Sequence, residues 1–261
     1  MKKFITLITS ILIAFSFTKT VFADGHQVYG PYPITLKGYD GDKTNSVKYT
    51  GQMARHALHD SLKALVKSGD VAKMMAYYNG EDGLAIVAPA SKGDFVIKQT
   101  MVSEIGSGNL SGKMYKGYIP GWGNLTGPEA LEHMITKAGE VEGGFDPNTG
   151  MDYTQLISKF AMGAVFYNQA VNSYLGSKME IGQKPNSEPY KEGAYYTGKE
   201  HSWDEAFGYW GSAAHALTLS AEQNYNVAKK KDMVSADFNG DGVVDVYSEY
   251  TYAHAYYASS Y

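Results

Sequence analysis

A run of oxygen-bearing side chains near the C-terminus has the spacing of a calcium-binding loop. Residues 237–245 read DFNGDGVVD, which places Asp237, Asn239, Asp241 and Asp245 at loop positions one, three, five and nine. Alternate residues of such a tight loop point inward, and the glycine at position six permits the sharp reversal. The oxygens then converge on a hard cation, to which Val243 offers its carbonyl. The spacing therefore predicts a bound calcium ion.

The acidic residue that closes an EF-hand is displaced by one position in this chain. Position twelve, normally a bidentate glutamate, is Ser248, and Glu249 follows it. We expect Glu249 to complete the ligand set of an EF-hand-like loop, and Val244 to hold the loop to the core. The alternative interpretation is a turn rich in Asx residues, in which Asp245 caps a following helix and no metal is needed.

A second candidate site lies in the sequence HSWDE at residues 201–205. On a helix, the spacings of three and four would place His201, Asp204 and Glu205 on one face. Imidazole and carboxylate groups in fixed geometry suit iron or zinc, or general base catalysis. The alternative is an ordinary polar helix N-terminus with an exposed histidine. On the same reasoning, we expect His215 on nearly the same face of this helix.

A third group of polar residues, near the start of the first predicted helix, has a similar but weaker pattern. It consists of His56, His59 and Asp60. A solvated helix face explains such a pattern more simply than a metal site does.

The elements that would position these residues are predicted to be helices. Apolar residues recur at helical spacing after Thr50, Asp70, Thr126, Asp152, His201 and Ala221, with the fourth of these helices running to about Lys178 and the fifth to Leu217. Thr50, Asp70 and Asp152 are candidate N-caps, and Gly69 is a candidate stop signal. Residues 81–122 are rich in glycine, and no run of alternating strands is found. We predict an all-α bundle or array with long Gly-rich loops, formed as a single domain by residues 24–261.

The N-terminus and the composition restrict location and partners. Residues 1–23 have a basic start, an apolar run and small residues before a cleavage point after Ala23, as a secretory signal peptide does. We therefore expect an exported protein, periplasmic or secreted to the surface of a bacterium, that does not span the membrane. A net charge of −4 argues against nucleic acid as a partner. There is no cysteine, and the oligomeric state is left open.

Several segments together resemble one protein family. They are VKYTGQ at 47–52 with Arg55, MGAVFYNQA at 162–170, HSWDEAFGYWG at 201–211 and SEY at 248–250. The chain resembles secreted bacterial proteins of the uncharacterised domain family 4856, a domain of unknown function. The resemblance implies an exported, mostly helical protein without an established activity. Because members of that family are longer at the C-terminus, it leaves open that a chain stopping at Tyr261 is a fragment.

A fainter similarity is to imelysin-like proteins, which are helical periplasmic or surface proteins tied to iron uptake. Their Gly-x-His-x-x-Glu motif corresponds here to Lys199, His201 and Asp204, so two of its three residues differ. The similarity implies that His201 and Asp204 are metal ligands, with Glu205 as a substitute.

These observations favour a non-enzymatic binding protein, stabilised by calcium, whose partner is a metal ion or a small ligand. One alternative is a metal-assisted hydrolase that uses His201 with Asp204 or Glu205 and a residue of the Gly-rich loop. Another is a surface module that binds glycans or proteins through its 22 tyrosines.

Overall fold

The computed structural model describes residues 28–87 and 95–260, so the predicted signal peptide lies outside the described residues. Within them the chain forms α1 (Thr50–Leu65), α2 (Val71–Asn79), α3 (Gly127–Gly139), α4 (Tyr153–Ala161), a π-helix (Met162–Tyr174), α5 (Gly198–Trp210), α6 (Ala221–Ala228), α7 (Met233–Ala236) and α8 (Ala253–Ala258). The strands of these ranges are β1 (Phe145–Asp146) and β2 (Met151–Asp152), an antiparallel hairpin. The prediction of a mostly helical protein is confirmed.

Helix α1 lies at the centre of the described structure. Its apolar face buries Met53, Leu58 and Leu62 completely, and it packs against α2, α4 and α5. The N-cap is Tyr49 and Thr50 is already helical, so the prediction that Thr50 caps the helix is wrong. A short 3₁₀ turn extends α1 to Gly69, whose φ of 68° ends the helical run as predicted.

The beginnings of α2, α3 and α4 follow from local capping. Asp70 accepts a hydrogen bond from the Lys73 amide at 2.9 Å, and Asp152 caps α4 in the same way. At α3, Thr126 and Glu129 form a capping box. These interactions join residues three apart, which is why the caps at Asp70 and Asp152 were predictable from the sequence.

The long helix predicted from Tyr153 to Lys178 consists of two types of helix. It is α-helical to Ala161 and then a π-helix from Met162 to Tyr174. The π-helix packs along α5 and buries both Phe166 and Tyr174. Such segments are rare and add a residue to the turn, which shifts the side chains that follow to another face. Apolar periodicity does not reveal that shift.

Helix α5 is shorter than predicted. Thr197 and Glu200 form its capping box, and it ends at Trp210 rather than at Leu217. Gly211, with φ of 81°, terminates it, and a Cβ there would lie 2.9 Å from His56 Nε2. Because the chain leaves the helix at Gly211, His215 does not share a helix face with His201, and that prediction is wrong.

Backbone hydrogen bonds join the segment before α1, the segment after α5 and the C-terminal part of the described structure. The Tyr29 amide donates to the Ala214 carbonyl at 2.7 Å, and the Ala214 amide donates to Ser248 at 2.7 Å. The Tyr29 ring stacks on Phe207 of α5, with 3.6 Å between the ring centroids. The residues before α1 therefore pack against α5. Within the described ranges, no helix combines the length and apolar character needed to cross a membrane.

Candidate functional sites

The oxygens of the predicted calcium loop turn toward the backbone of that loop. The Asp237 carboxylate accepts hydrogen bonds from the amides of Gly240, Asp241 and Gly242, at 2.8 to 3.0 Å. Asn239 Oδ1 accepts from the Asp241 amide at 2.8 Å, and Asp241 Oδ1 accepts from the next-but-one amide at 3.1 Å. The loop is thus wrapped around the Asp237 carboxylate.

Glu249 closes this loop, although it stands one position late in the sequence. Its side chain is buried, and its two oxygens accept from the amides of Asn239 at 3.1 Å and Asp245 at 2.9 Å. Residues 246–249 form a turn rather than a helix. The structure therefore brings Glu249 to the loop without the following helix that the alternative interpretation of the sequence assumed.

The loop is attached to the rest of the protein through its apolar position. Val244 is fully buried, and its amide and carbonyl bond to Val96 and Lys98 in a parallel bridge. The Lys98 ammonium lies 3.4 Å from Asp241 and 3.9 Å from Asp245. The expected anchoring role of Val244 agrees with this geometry. Lys98 was not singled out from the sequence, because it is distant along the chain.

The three residues predicted as a second metal site are divided between two faces of α5. His201 Nε2 lies 3.4 Å from Glu205 Oε2, so these two side chains meet. Asp204 points elsewhere: its carboxylate accepts from the Tyr29 hydroxyl and from the Lys48 amide at 3.0 Å. Spacings of three and four place residues near one another on a helix, but packing decides which of them share a neighbour.

Glu205 is the centre of a polar cluster between α1, the π-helix and α5, here called the Glu205 cluster and defined by Gln52, Tyr174, His201 and Glu205. Gln52 donates to Glu205 Oε1 at 2.6 Å, and Tyr174 hydrogen-bonds to the same carboxylate. Burial lowers the pKa of His201, an effect that Glu205 only partly opposes. Neutral imidazole is therefore favoured, which is the form that binds metals.

Basic side chains surround the same cluster. Burial lowers the pKa of Lys113 and of Lys178, while the Glu205 charge raises both. Tyr190 and Tyr196 pack on the His201 ring, with centroids 4.6 and 4.9 Å away. The cluster is therefore a carboxylate and an imidazole held among cations and aromatic rings. Gln52 and Tyr174 carried no sequence signal, because each lies in a different helix from Glu205.

Asp204 is buried beside tyrosines on the other face. Burial raises its pKa to about 6, although the bonds from Tyr29 and the Lys48 amide act in the opposite direction. The carboxylate thus titrates near neutral pH in a site closed by aromatic rings. Its hydrogen bonds are already made within the protein.

The remaining histidines singled out from the sequence are buried. His56 and His59 are at most 2% exposed, so the expectation of a solvated helix face is wrong. His56 Nε2 donates to the Gly208 carbonyl at 2.9 Å, and burial lowers its pKa to about 3. His215 lies 2.9 Å from the Ser235 carbonyl and stacks on Phe238. These rings fill space between helices.

A cavity of about 280 Å³ lies between α1, α4 and α8, and is here called the lysine cavity. It is defined by six of its lining residues: His59, Asp60, Lys63, Lys67, Lys230 and Tyr256. The sequence drew attention only to its histidine and aspartate, because Lys230 and Tyr256 reach it through the tertiary fold.

A search of residues 28–87 and 95–260 finds no group of three or more His, Asp or Glu side chains arranged to hold a metal ion. In the predicted calcium loop, the carboxylates are turned to amides and to Lys98. In the Glu205 cluster, one imidazole and one carboxylate meet.

Comparisons with known proteins identify one family. Residues 130–247 match the family described as a domain of unknown function, DUF4856. The match extends from α3 to Tyr247 and so includes α5 and most of the predicted calcium loop. No curated protein matches the chain, and no solved structure does. No similarity to imelysin-like proteins emerges from these comparisons, so that resemblance stays a prediction.

Proposed function

We propose that this chain, whose residues 130–247 match the DUF4856 family, is an exported bacterial binding protein and not an enzyme. It is stabilised by a calcium ion in the Asp237–Glu249 loop, and it binds a metal ion or a small ligand at the Glu205 cluster. The observation that carries the proposal is the buried Glu249 carboxylate, which reaches back to close a loop of Asp and Asn oxygens.

The loop has the chemistry that calcium prefers. Ca²⁺ takes six to eight oxygen ligands, and Asp237, Asn239, Asp241, Asp245 and Glu249 supply carboxylate and amide oxygens, with the Val243 carbonyl as a further ligand. The Lys98 side chain is 47% exposed. It is therefore free to leave Asp241 and Asp245 when a divalent cation neutralises them.

Thermal unfolding with and without calcium tests this proposal. An ion that binds only the folded state raises the midpoint, and the gain in stability grows with the logarithm of its concentration once that concentration exceeds Kd. We expect calcium to raise the melting temperature of the wild type, and the double variant Asp237→Ala/Asp241→Ala to lose that response. The matched control, Asp42→Ala/Asp82→Ala, removes two exposed carboxylates and should respond as the wild type does. A wild-type midpoint that millimolar calcium leaves unchanged would contradict the proposal.

The Glu205 cluster is the proposed second binding centre, for iron, zinc or a small ligand. His201 and Glu205 offer one nitrogen and one oxygen ligand, and burial keeps His201 neutral. The resemblance to imelysin-like proteins suggests iron uptake as the role of such a centre. Asp204 is committed to Tyr29, so the proposed ligands are His201 and Glu205.

Metal analysis of the purified protein tests the second centre. We expect iron or zinc to be retained by the wild type and lost in His201→Ala and in Glu205→Gln. His133→Ala, which removes an exposed histidine of α3, should retain it. Equal metal content in all four proteins would mean that His201 and Glu205 do not bind a metal ion. The Glu205 cluster would then bind a small ligand without metal, or no ligand.

One further candidate function has an observation in its favour. Tyr167 and Trp210 are 53% and 45% exposed, and both pack against the ring of His254. Exposed aromatic rings of this kind suit stacking on sugars, as a surface glycan-binding module would need. A glycan array tests this candidate. Binding by the wild type that is lost in Trp210→Ala would favour it. The metal-assisted hydrolase stays an alternative, since it would use the same contact between His201 and Glu205.

A further inference from the structure

The lysine cavity has an excess of positive charge. Lys63, Lys67 and Lys230 line it, against a single carboxylate, Asp60. Asp60 is 23% exposed, and its carboxylate lies 3.6 Å from the Nδ1 atom of His59. The lysines are therefore not matched by acidic groups of the cavity wall.

Lys230 is the second feature of this cavity, and it is partly buried. Its ammonium makes no hydrogen bond or ion pair with any residue of the described ranges, and it lies 4.9 Å from the centre of the Tyr250 ring. Burial lowers the pKa of Lys230 and the nearby Lys63 lowers it further, while Asp60 acts in the opposite direction. An ammonium carries three donors, so a partly desolvated one has strong affinity for an oxyanion.

The backbone holds Lys230 and the opposite wall in uncommon conformations. Lys230 has φ of 58° and Ala253 has φ of 39°, and both line the cavity. Among the described residues, only two other non-glycine residues, Asn124 and Lys184, have positive φ. A left-handed conformation costs a residue with a Cβ roughly 1–2 kcal/mol. Such strain is typical of binding sites.

Ser158, His59 and Asp60 lie together in the wall of the cavity. Ser158 Oγ lies 3.3 Å from His59 Nε2, and Asp60 lies on the Nδ1 side of the ring. However, Nε2 is also 3.1 Å from the Ser158 carbonyl, which can only accept a hydrogen bond. A hydrogen on Nε2 satisfies that carbonyl, and in this tautomer the ring cannot remove a proton from Ser158. These contacts favour binding over hydrolysis.

We propose that the lysine cavity binds a small organic oxyanion, a polycarboxylate or a phosphate ester, between the ammonium groups of Lys63 and Lys230. The ring of Tyr256 and its neighbour Tyr257 provide an apolar wall for the carbon frame of the ligand. A cavity of about 280 Å³ is large enough for a compact ligand. This site is separate from both binding centres of the proposed function.

Isothermal titration calorimetry of the full chain at low ionic strength tests the proposal. Citrate and inorganic phosphate serve as probes, and glucose serves as the neutral control. We expect saturable binding of at least one anion, weakened by added salt, and no binding of glucose. Binding of citrate alone identifies a polycarboxylate site, and binding of phosphate identifies a phosphate ester site.

The variants Lys230→Asn and Lys63→Met test the assignment. Asparagine tolerates positive φ, and methionine is a good helix former, so both variants are expected to keep the wild-type circular dichroism and melting temperature. Each removes one ammonium, and we expect affinity to fall at least about tenfold. Lys73→Ala, which removes an exposed lysine of α2, should bind as the wild type does.

Two results would overturn the proposal. One is the absence of saturable heat with either anion in the wild type. The other is binding of equal strength in Lys230→Asn and Lys63→Met, which would place the anion elsewhere. Lys63→Arg, which keeps the charge on α1, distinguishes loss of an ammonium from local damage, since it should preserve most of the affinity.

Discussion

The Asp237–Glu249 loop and α5 both carry acidic side chains. The hydrogen-bonding partners of these side chains are close in sequence in the loop and distant in sequence on α5. In the loop, Asp237 bonds to amides three to five residues ahead, and Glu249 to amides four and ten residues behind. On α5, the Glu205 partner Gln52 is 153 residues away, and the Asp204 partner Tyr29 is 175 residues away. Local contacts specify the first region, and the assembled helices specify the second.

The comparison predicts different consequences when a carboxylate is removed. In the loop, the amides freed by removing the Asp237 carboxylate are exposed and can bond to water, and those that Glu249 holds are only partly buried. In the Glu205 cluster, the freed donors belong to side chains packed between three helices. Removing a carboxylate should therefore lower the free energy of unfolding more on α5 than in the loop.

The largest effect is expected for Glu205→Ala. Gln52 and Tyr174 lose their shared acceptor, and the partly buried Lys113 and Lys178 lose a compensating charge. We expect the free energy of unfolding to fall by about 3 kcal/mol. Urea unfolding followed by circular dichroism measures it. Glu192→Ala, an exposed glutamate, should change the value by less than about 0.5 kcal/mol. Similar losses in both variants would remove the distinction between the regions.

The second prediction concerns the pH dependence that Asp204 produces. Its pKa is raised from 3.8 to about 6, so the folded state holds the proton more tightly than the unfolded state. Stability from this group is therefore present below about pH 4 and is lost as the pH rises through 6. The loss is at most about 3 kcal/mol. We expect the stability of the wild type relative to Asp204→Asn to decrease between pH 4 and pH 7.

Subtracting the stability of Asp204→Asn from that of the wild type also removes a competing effect, which comes from His56. Burial lowers the pKa of His56 to about 3. The contribution of His56 to the stability of the protein is therefore lost as the pH falls below 6.5. That slope has the opposite sign and is common to both proteins. Asp42→Asn, at an exposed position, should reproduce the wild-type profile. A difference that does not vary with pH would mean that Asp204 is ionised throughout.

The smallest effect is expected for Glu249→Gln, measured in the presence of a chelator. The amide group retains one acceptor oxygen, so only one of the bonds to the Asn239 and Asp245 amides is lost. We expect a loss of roughly 1–2 kcal/mol. Urea unfolding beside Glu192→Gln gives the comparison. A loss larger than that of Glu205→Ala would show that the loop depends on more than local contacts.

The sequence predictions were mostly correct for features that depend on local contacts and mostly wrong for features that depend on how the helices pack. The caps at Asp70 and Asp152 and the stop at Gly69 were predicted correctly, because each depends on neighbours within one turn. The end of α5 was predicted too late, since Gly211 was not recognised as the residue where the chain turns beside His56. The π-helix was missed because it differs from an α-helix in register and not in composition.

The sequence by itself determined the helical segments and their local caps. It also brought attention to the Asp237–Asp245 spacing and to the histidine and carboxylates of α5. Only the tertiary structure decided that Asp204 faces Tyr29 while Glu205 faces Gln52 and His201, and that Lys230 meets Lys63 at one cavity. The physical reason is that helical periodicity fixes which residues are near one another on a helix, whereas side-chain partners from distant segments are set by how the helices pack.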